Sequence, residues 1–162
     1  METSKPREEH RFLEKLIGDW IVTSTTSDGN YDPSDPEKAW TEKVHAVGGL
    51  WFVCEGGGVM PDGQRGSVVM TLGYDPRAGH YVGTWIGSMM DTFWVYKGWL
   101  EPDGKTLTLE AEGPDFDDPS KTAIYHDVIK FIDDDHRQFS GSVRQPDGTF
   151  RTFMTSEMRR RG

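Results

Sequence analysis

From Asp19 onward, apolar and polar residues alternate in short runs, and each run stops at glycine, proline or aspartate. A period of two puts successive side chains on opposite faces of an extended chain, so runs rich in Val, Ile, Thr, Tyr, Phe and Trp between turn residues predict β-strands. Ten runs qualify: 19–27, 38–47, 50–56, 66–74, 79–86, 93–101, 106–112, 122–132, 138–144 and 149–159. Ahead of them the period changes. Between Pro6 and Ile17, the residues Phe12, Leu13, Leu16 and Ile17 recur at helical spacing, Glu8 and Glu9 suit the positive end of a helix dipole, and Gly18 supplies a stop.

The punctuation selects hairpins. Pro-Asp-Gly recurs at Pro61, Pro102 and Pro146, where proline presets φ, aspartate bonds nearby backbone and glycine accepts positive φ. Connections this short leave no room for crossover helices, so strands pair antiparallel with their sequence neighbours. Closing such a meander removes both exposed edges. The expected fold is all-β: an antiparallel up-and-down barrel of about ten strands with one N-terminal helix, forming a single domain over residues 1–162, with a sandwich as the second choice. The clusters Gly48-Gly49 and Gly56-Gly57-Gly58 are expected at bends or bulges of the wall.

Alternation then separates inside from outside. Lys97 should face water, which turns Trp94, Tyr96, Gly98 and Leu100 inward. Val68, Met70, Leu72 and Tyr74 share one face of their strand, Leu107 and Leu109 share another, and Phe150, Thr152, Met154 and Met158 share a face of the last. Tyr81 and Trp85 are assigned inward as the larger rings of their run. Of the neighbours His126 and Asp127 one must point inward, as a polar anchor in an apolar lumen. A barrel of about eight strands is just filled by side chains, and ten strands leave more room. The expected ligand-binding set is Trp20, Met70, Tyr81, Trp85, Trp94, Tyr96, His126, Asp127, Phe150 and Met154, receiving a hydrophobic or aromatic small molecule.

Composition narrows the partners. A net charge of -9 opposes nucleic acid, no apolar stretch near the start resembles a signal or membrane span, and the single cysteine, Cys54, cannot form an internal disulfide. A cytoplasmic protein away from membranes is expected. Val95 and Trp99 share the Lys97 face, and Trp51 and Val53 share that of Glu55, so apolar groups should remain outside the barrel. A homodimer would cover them, unless the helix or the Asp28–Glu37 loop does.

Catalytic signatures are sparse. His10, His45, His80, His126 and His136 show no metal-ligand spacing, and no metal or cofactor is expected. Asp28, Asn30 and Asp32 begin like a calcium loop, but Pro33 stands where glycine is needed and Ala39 where a bidentate glutamate belongs. There is no Gly-x-Ser-x-Gly elbow and no phosphate loop, and Cys54 reads as a small core residue. No catalytic residue is nominated from sequence. The alternatives to a binding barrel are an enzyme built on a polar cluster of His126, Asp127, Tyr81 or Ser88, and a structural dimeric barrel without ligand.

Gly18-Asp19-Trp20 after a short helix is similar to the Gly-x-Trp signature of lipocalin-like barrels. Together with Leu13–Trp20, the runs Leu72–Met89 and Asp103–Asp115 resemble, in order, the mostly bacterial family known as domain of unknown function 1579. The resemblance spans about His10 to Arg159 and implies a lipocalin-like, calycin-type barrel with no established activity. The family's Tyr-Val-Gly-Thr-Trp-Ile run is commonly followed by aspartate, whereas Gly87 stands here, so acid chemistry at that position is not expected.

Overall fold

Each strand-forming run pairs with the next, and the last returns to the first. The computed structural model describes residues 2–25 and 39–161. The helix α1 (Glu8–Glu14) precedes β1 (Gly18–Thr25), β2 (Thr41–Val47), β3 (Trp51–Val59), β4 (Arg65–Asp75) and β5 (His80–Gly87). Then follow β6 (Trp94–Leu100), β7 (Thr106–Pro114), β8 (Thr122–Asp133), β9 (His136–Arg144) and β10 (Phe150–Arg160). Every pairing is antiparallel, and the β1–β10 pair, with Trp20 opposite Arg160, closes the sheet into a barrel. Among the described residues every strand has two neighbours, so no strand forms an edge that could template another chain. The Asp28–Glu37 loop and the calcium-like run within it lie outside the described residues.

The helix plugs one end. It is shorter than the expected 6–17: after Glu14 the chain tightens into turns in which Leu16 and Ile17 donate to Leu13 and Glu14 three residues back. Ile17 thereby leaves the apolar face and is exposed, whereas Phe12, Leu13 and Leu16 are buried. Gly18 opens β1 with φ +129°, a conformation costly for residues with a Cβ, and a Cβ there would lie 2.5 Å from Arg160 Nη1. Arg160 uses that space. Its Nη1 donates to the Ile17 carbonyl at 2.6 Å and its Nη2 to the Lys15 carbonyl at 3.1 Å, while its guanidinium carbon lies 4.3 Å from the Trp20 ring centre. The C-terminal turn of the plug is thus fastened to the closing strand.

Below the plug the lumen is solid. Phe52, Leu72, Leu107, Leu109 and Ile129 are fully buried, each contributing roughly 1.5–3 kcal/mol of transfer free energy. Trp20 is fully buried beside them and donates its indole N–H to Leu16. Arg137, also fully buried, pairs with Glu42 at 2.5 Å and lies 4.5 Å from the Trp20 ring centre. Its Nε and Nη1 meet no hydrogen-bond acceptor among the described residues.

Two wall details differ from the sequence reading. Gly48 and Gly49, both with positive φ, make the β2–β3 turn rather than a bend in the wall, and Gly56, Gly57 and Gly58 pair in register within β3. On β10 the register slips between Thr152 and Met154. That bulge reverses the in–out parity, so Met154 and Met158 face the interior while Phe150 and Thr152 face outward.

Candidate functional site

At the end away from α1 the filling stops short and leaves a cavity of about 240 Å³. Its walls are rings and sulfur: Trp85 from β5, Trp94 from β6, Phe139 from β9 and Met154 from β10, with Phe116 and Phe153 at the outer rim. Trp94 can lie flat on the wall because its neighbour is glycine. A Cβ on Gly113 would fall 2.2 Å from the Trp94 ring. Tyr125 meets Trp94 edge-on at 5.2 Å, and its hydroxyl donates to the Pro114 carbonyl and accepts from the Phe116 N–H, which holds the rim loop in place.

One carboxylate lines this cavity. Asp127 on β8 points inward and His126 outward, the alternation that a strand imposes. Tyr96, from two strands away on β6, donates its hydroxyl to Asp127 Oδ2. Burial raises the Asp127 pKa to about 6, against the Tyr96 hydrogen bond and the nearby His126, which lower it. Tyr96 is pushed well above the ordinary tyrosine range by burial and by the Asp127 charge. Its hydroxyl therefore stays a donor, and Asp127 is a carboxylate at neutral pH.

The remaining sequence candidates are spread around the barrel. Trp85, Trp94, Asp127 and Met154 line the cavity, with Tyr96 behind Asp127. Trp20, Met70 and Tyr81 belong to the packed core, where the Tyr81 hydroxyl donates to the Glu9 carbonyl of the plug at 3.2 Å. His126 and Phe150 are corrected to the outer surface. There His126 bonds Glu110 at 2.9 Å and stacks on Phe150 at 3.9 Å, consistent with the β8 alternation and the β10 bulge. The cluster proposed for an enzyme does not assemble: His126 is outside, Tyr81 is at the plug, and Ser88 Oγ accepts the Ser67 N–H near the surface.

Four aromatic residues of the cavity are absent from the set expected from sequence: Phe116, Tyr125, Phe139 and Phe153. Tyr125 shares the parity of Asp127 and Phe139 that of Gly141, so alternation carried a signal for both. Phe116 sits in an acidic loop, and Phe153 is the bulged residue, neither of which has a strand period. A larger groove of about 660 Å³ runs between α1 and the β5–β6 wall, and charged Glu8, Glu9 and Lys15 border it. No three His, Cys, Asp or Glu side chains converge on a possible metal position among the described residues.

Over residues 5–160 the sequence matches the model of a protein of unknown function, DUF1579. The chain belongs to this family. None of the curated proteins matches it. Among solved structures it is similar to a redesigned β-barrel, b11L5F_LGL, at 12% identity and TM-score 0.46, covering 94% of this chain and 96% of that one. It is also similar to EF1p2_mFAP2b bound to DFHBI, at 11% identity and TM-score 0.46, covering 94% and 98%. No helix among the described residues of this DUF1579 protein is long and apolar enough to cross a membrane.

Proposed function

We propose that this DUF1579 barrel binds a small, largely apolar aromatic molecule in the cavity opposite the plug. The observation that carries this reading is the composition of the wall: rings and thioethers around one carboxylate that has its own tyrosine donor. About 240 Å³ is below the usual range of roughly 300–1,000 Å³ for drug-sized ligands, but above the roughly 150 Å³ that admits benzene in an engineered apolar cavity. The size suits one ring or two fused rings. Trp85 and Trp94 serve as reporters, so indole emission titrated with ethylbenzene and naphthalene tests the reading directly. Saturable emission changes that disappear in Ala111→Phe, which fills the cavity, are expected. Emission unaffected by both compounds would refute binding.

A second feature rests on the outer wall of β3–β6, where Trp51, Ile86 and Val95 are exposed. We infer that this face self-associates into a homodimer, because apolar patches on a sheet face are commonly covered by a symmetric copy. Cytoplasmic residence is part of the same reading.

A further inference from the structure

The proposed ligand site carries information about charge as well as size. Asp127 has two oxygens, and Tyr96 occupies one of them. Among the described residues Oδ1 accepts no hydrogen bond, and no lysine or arginine pairs with this carboxylate. An ionised carboxylate only accepts, and Asp127, half-buried among apolar side chains, has no second donor from the described residues. The groups packed around it do not supply the need. On the adjoining strands Leu109 of β7 and Gly141 of β9 stand opposite it, the Tyr125 hydroxyl is committed to the rim loop, and His126 is turned to the outer surface.

Resting on the binding reading above, we propose that the cavity selects compact aromatic compounds bearing a cationic N–H donor, such as an amidinium, with the donor delivered to Asp127 Oδ1 and the ring held among Trp85, Trp94 and Phe139. Each component has a chemical reason. The cation supplies both a donor and a counter-charge, and a charge-assisted hydrogen bond is stronger than a neutral one. The electron-rich faces of the two tryptophans favour a cation further. An anionic ligand meets the opposite situation: its charge faces a carboxylate and no described cation lines the cavity. One free oxygen makes the contact monodentate, so a single N–H suffices.

Four ligands of nearly equal size separate the possibilities: benzamidine, benzamide, benzoate and ethylbenzene, each titrated against the native protein by indole emission and by ligand-observed NMR. Benzamidine is expected to bind roughly ten- to a hundredfold more tightly than ethylbenzene, the factor a charge-assisted hydrogen bond provides, and benzoate more weakly than either. Asp127→Asn should remove that preference. If Asp127→Asn fails to fold, the native protein answers the same question. Lowering the pH from about 7.5 to about 4.5 neutralises Asp127, whose titratable neighbours are Tyr96, Tyr125 and His126, and should erase the preference for benzamidine. Equal binding of benzamidine and ethylbenzene, or a preference that survives both Asp127→Asn and acid, overturns the proposed selectivity and leaves the binding reading standing. Failure of all four to bind overturns both.

Discussion

Tyr96 and Asp127 face each other across the barrel interior, joined by a hydrogen bond that passes over β7 from β6 to β8. The donor is held un-ionised by the same burial that raises the acceptor's pKa, so the direction of the bond is fixed through the neutral range. Removing the donor with Tyr96→Phe should therefore push the Asp127 pKa above its value of about 6. It should also cost roughly 1–3 kcal/mol of stability at pH 7, the penalty for a charged acceptor left without a partner. Carbon-detected NMR titration of the Asp127 carboxyl reads the first effect and urea unfolding the second.

Asp127 itself should weaken the fold as pH rises from about 4 through 6. Its pKa of about 6 when folded exceeds the ordinary 3.8, so the native state binds more protons than the unfolded chain between those values. Stability attributable to this group is present below about pH 4 and falls as pH rises through 6, by up to about 3 kcal/mol. Asp127→Asn keeps an acceptor for Tyr96 and has no charge to bury. It is expected to match the native protein near pH 4 and to exceed it near pH 8 in urea unfolding. A native protein as stable as the variant at pH 8 would contradict the burial assigned to this carboxylate.

The barrel was legible in the sequence because its evidence is local. Alternation and the Pro-Asp-Gly turns, such as Pro102-Asp103-Gly104, act within a few residues, and Trp94 and Tyr96 follow them strictly. The cavity was only half legible. Parity fails where the chain inserts a residue, as at Phe153, and nothing in the surrounding residues marks that bulge, so Phe150 was placed on the wrong face. Whether His126 or Asp127 faces inward depends on which strand parity meets the core, a long-range fact set by the partners Leu109 and Gly141. Phe116 reaches the rim from a loop through Tyr125, a contact without sequence period.

Gly113 is a seat for a ring. In Gly113→Ala the new methyl would lie 2.2 Å from Trp94, a distance no pair of carbon atoms tolerates, and the indole must move. Overpacking of this kind costs about 1–3 kcal/mol. The displaced ring also narrows the cavity, so the variant is expected to lose both thermal stability and ethylbenzene binding, measured by calorimetry and by indole emission.

Arg160→Ala should loosen the plug while leaving the cavity intact. The variant gives up donors to the Lys15 and Ile17 carbonyls and the contact with Trp20, a loss of roughly 2–4 kcal/mol. Arg160→Lys should recover little, because a single ammonium cannot reproduce the planar fork. Hydrogen exchange is expected to quicken in residues 8–17 in both variants.

Self-association over the outer wall predicts a dimer in sedimentation velocity at low micromolar concentration. Val95, 59% exposed, lies on that face, and Val95→Glu should give a monomer with unchanged far-ultraviolet circular dichroism. A native monomer with no concentration dependence would remove the dimer.

The bond from Arg160 to Ile17 links residues 143 positions apart. The β1–β10 pairing that covers Trp20 cannot form until the segment around Arg160 has been synthesised. Closing so long a loop late makes folding slow relative to helical proteins of equal length. It also sets a window in which chaperones or neighbouring chains meet an unsealed sheet. Joining residue 161 to residue 2 through a linker and opening the β5–β6 turn instead would make that contact local. Such a permuted chain should refold faster and unfold at a similar rate.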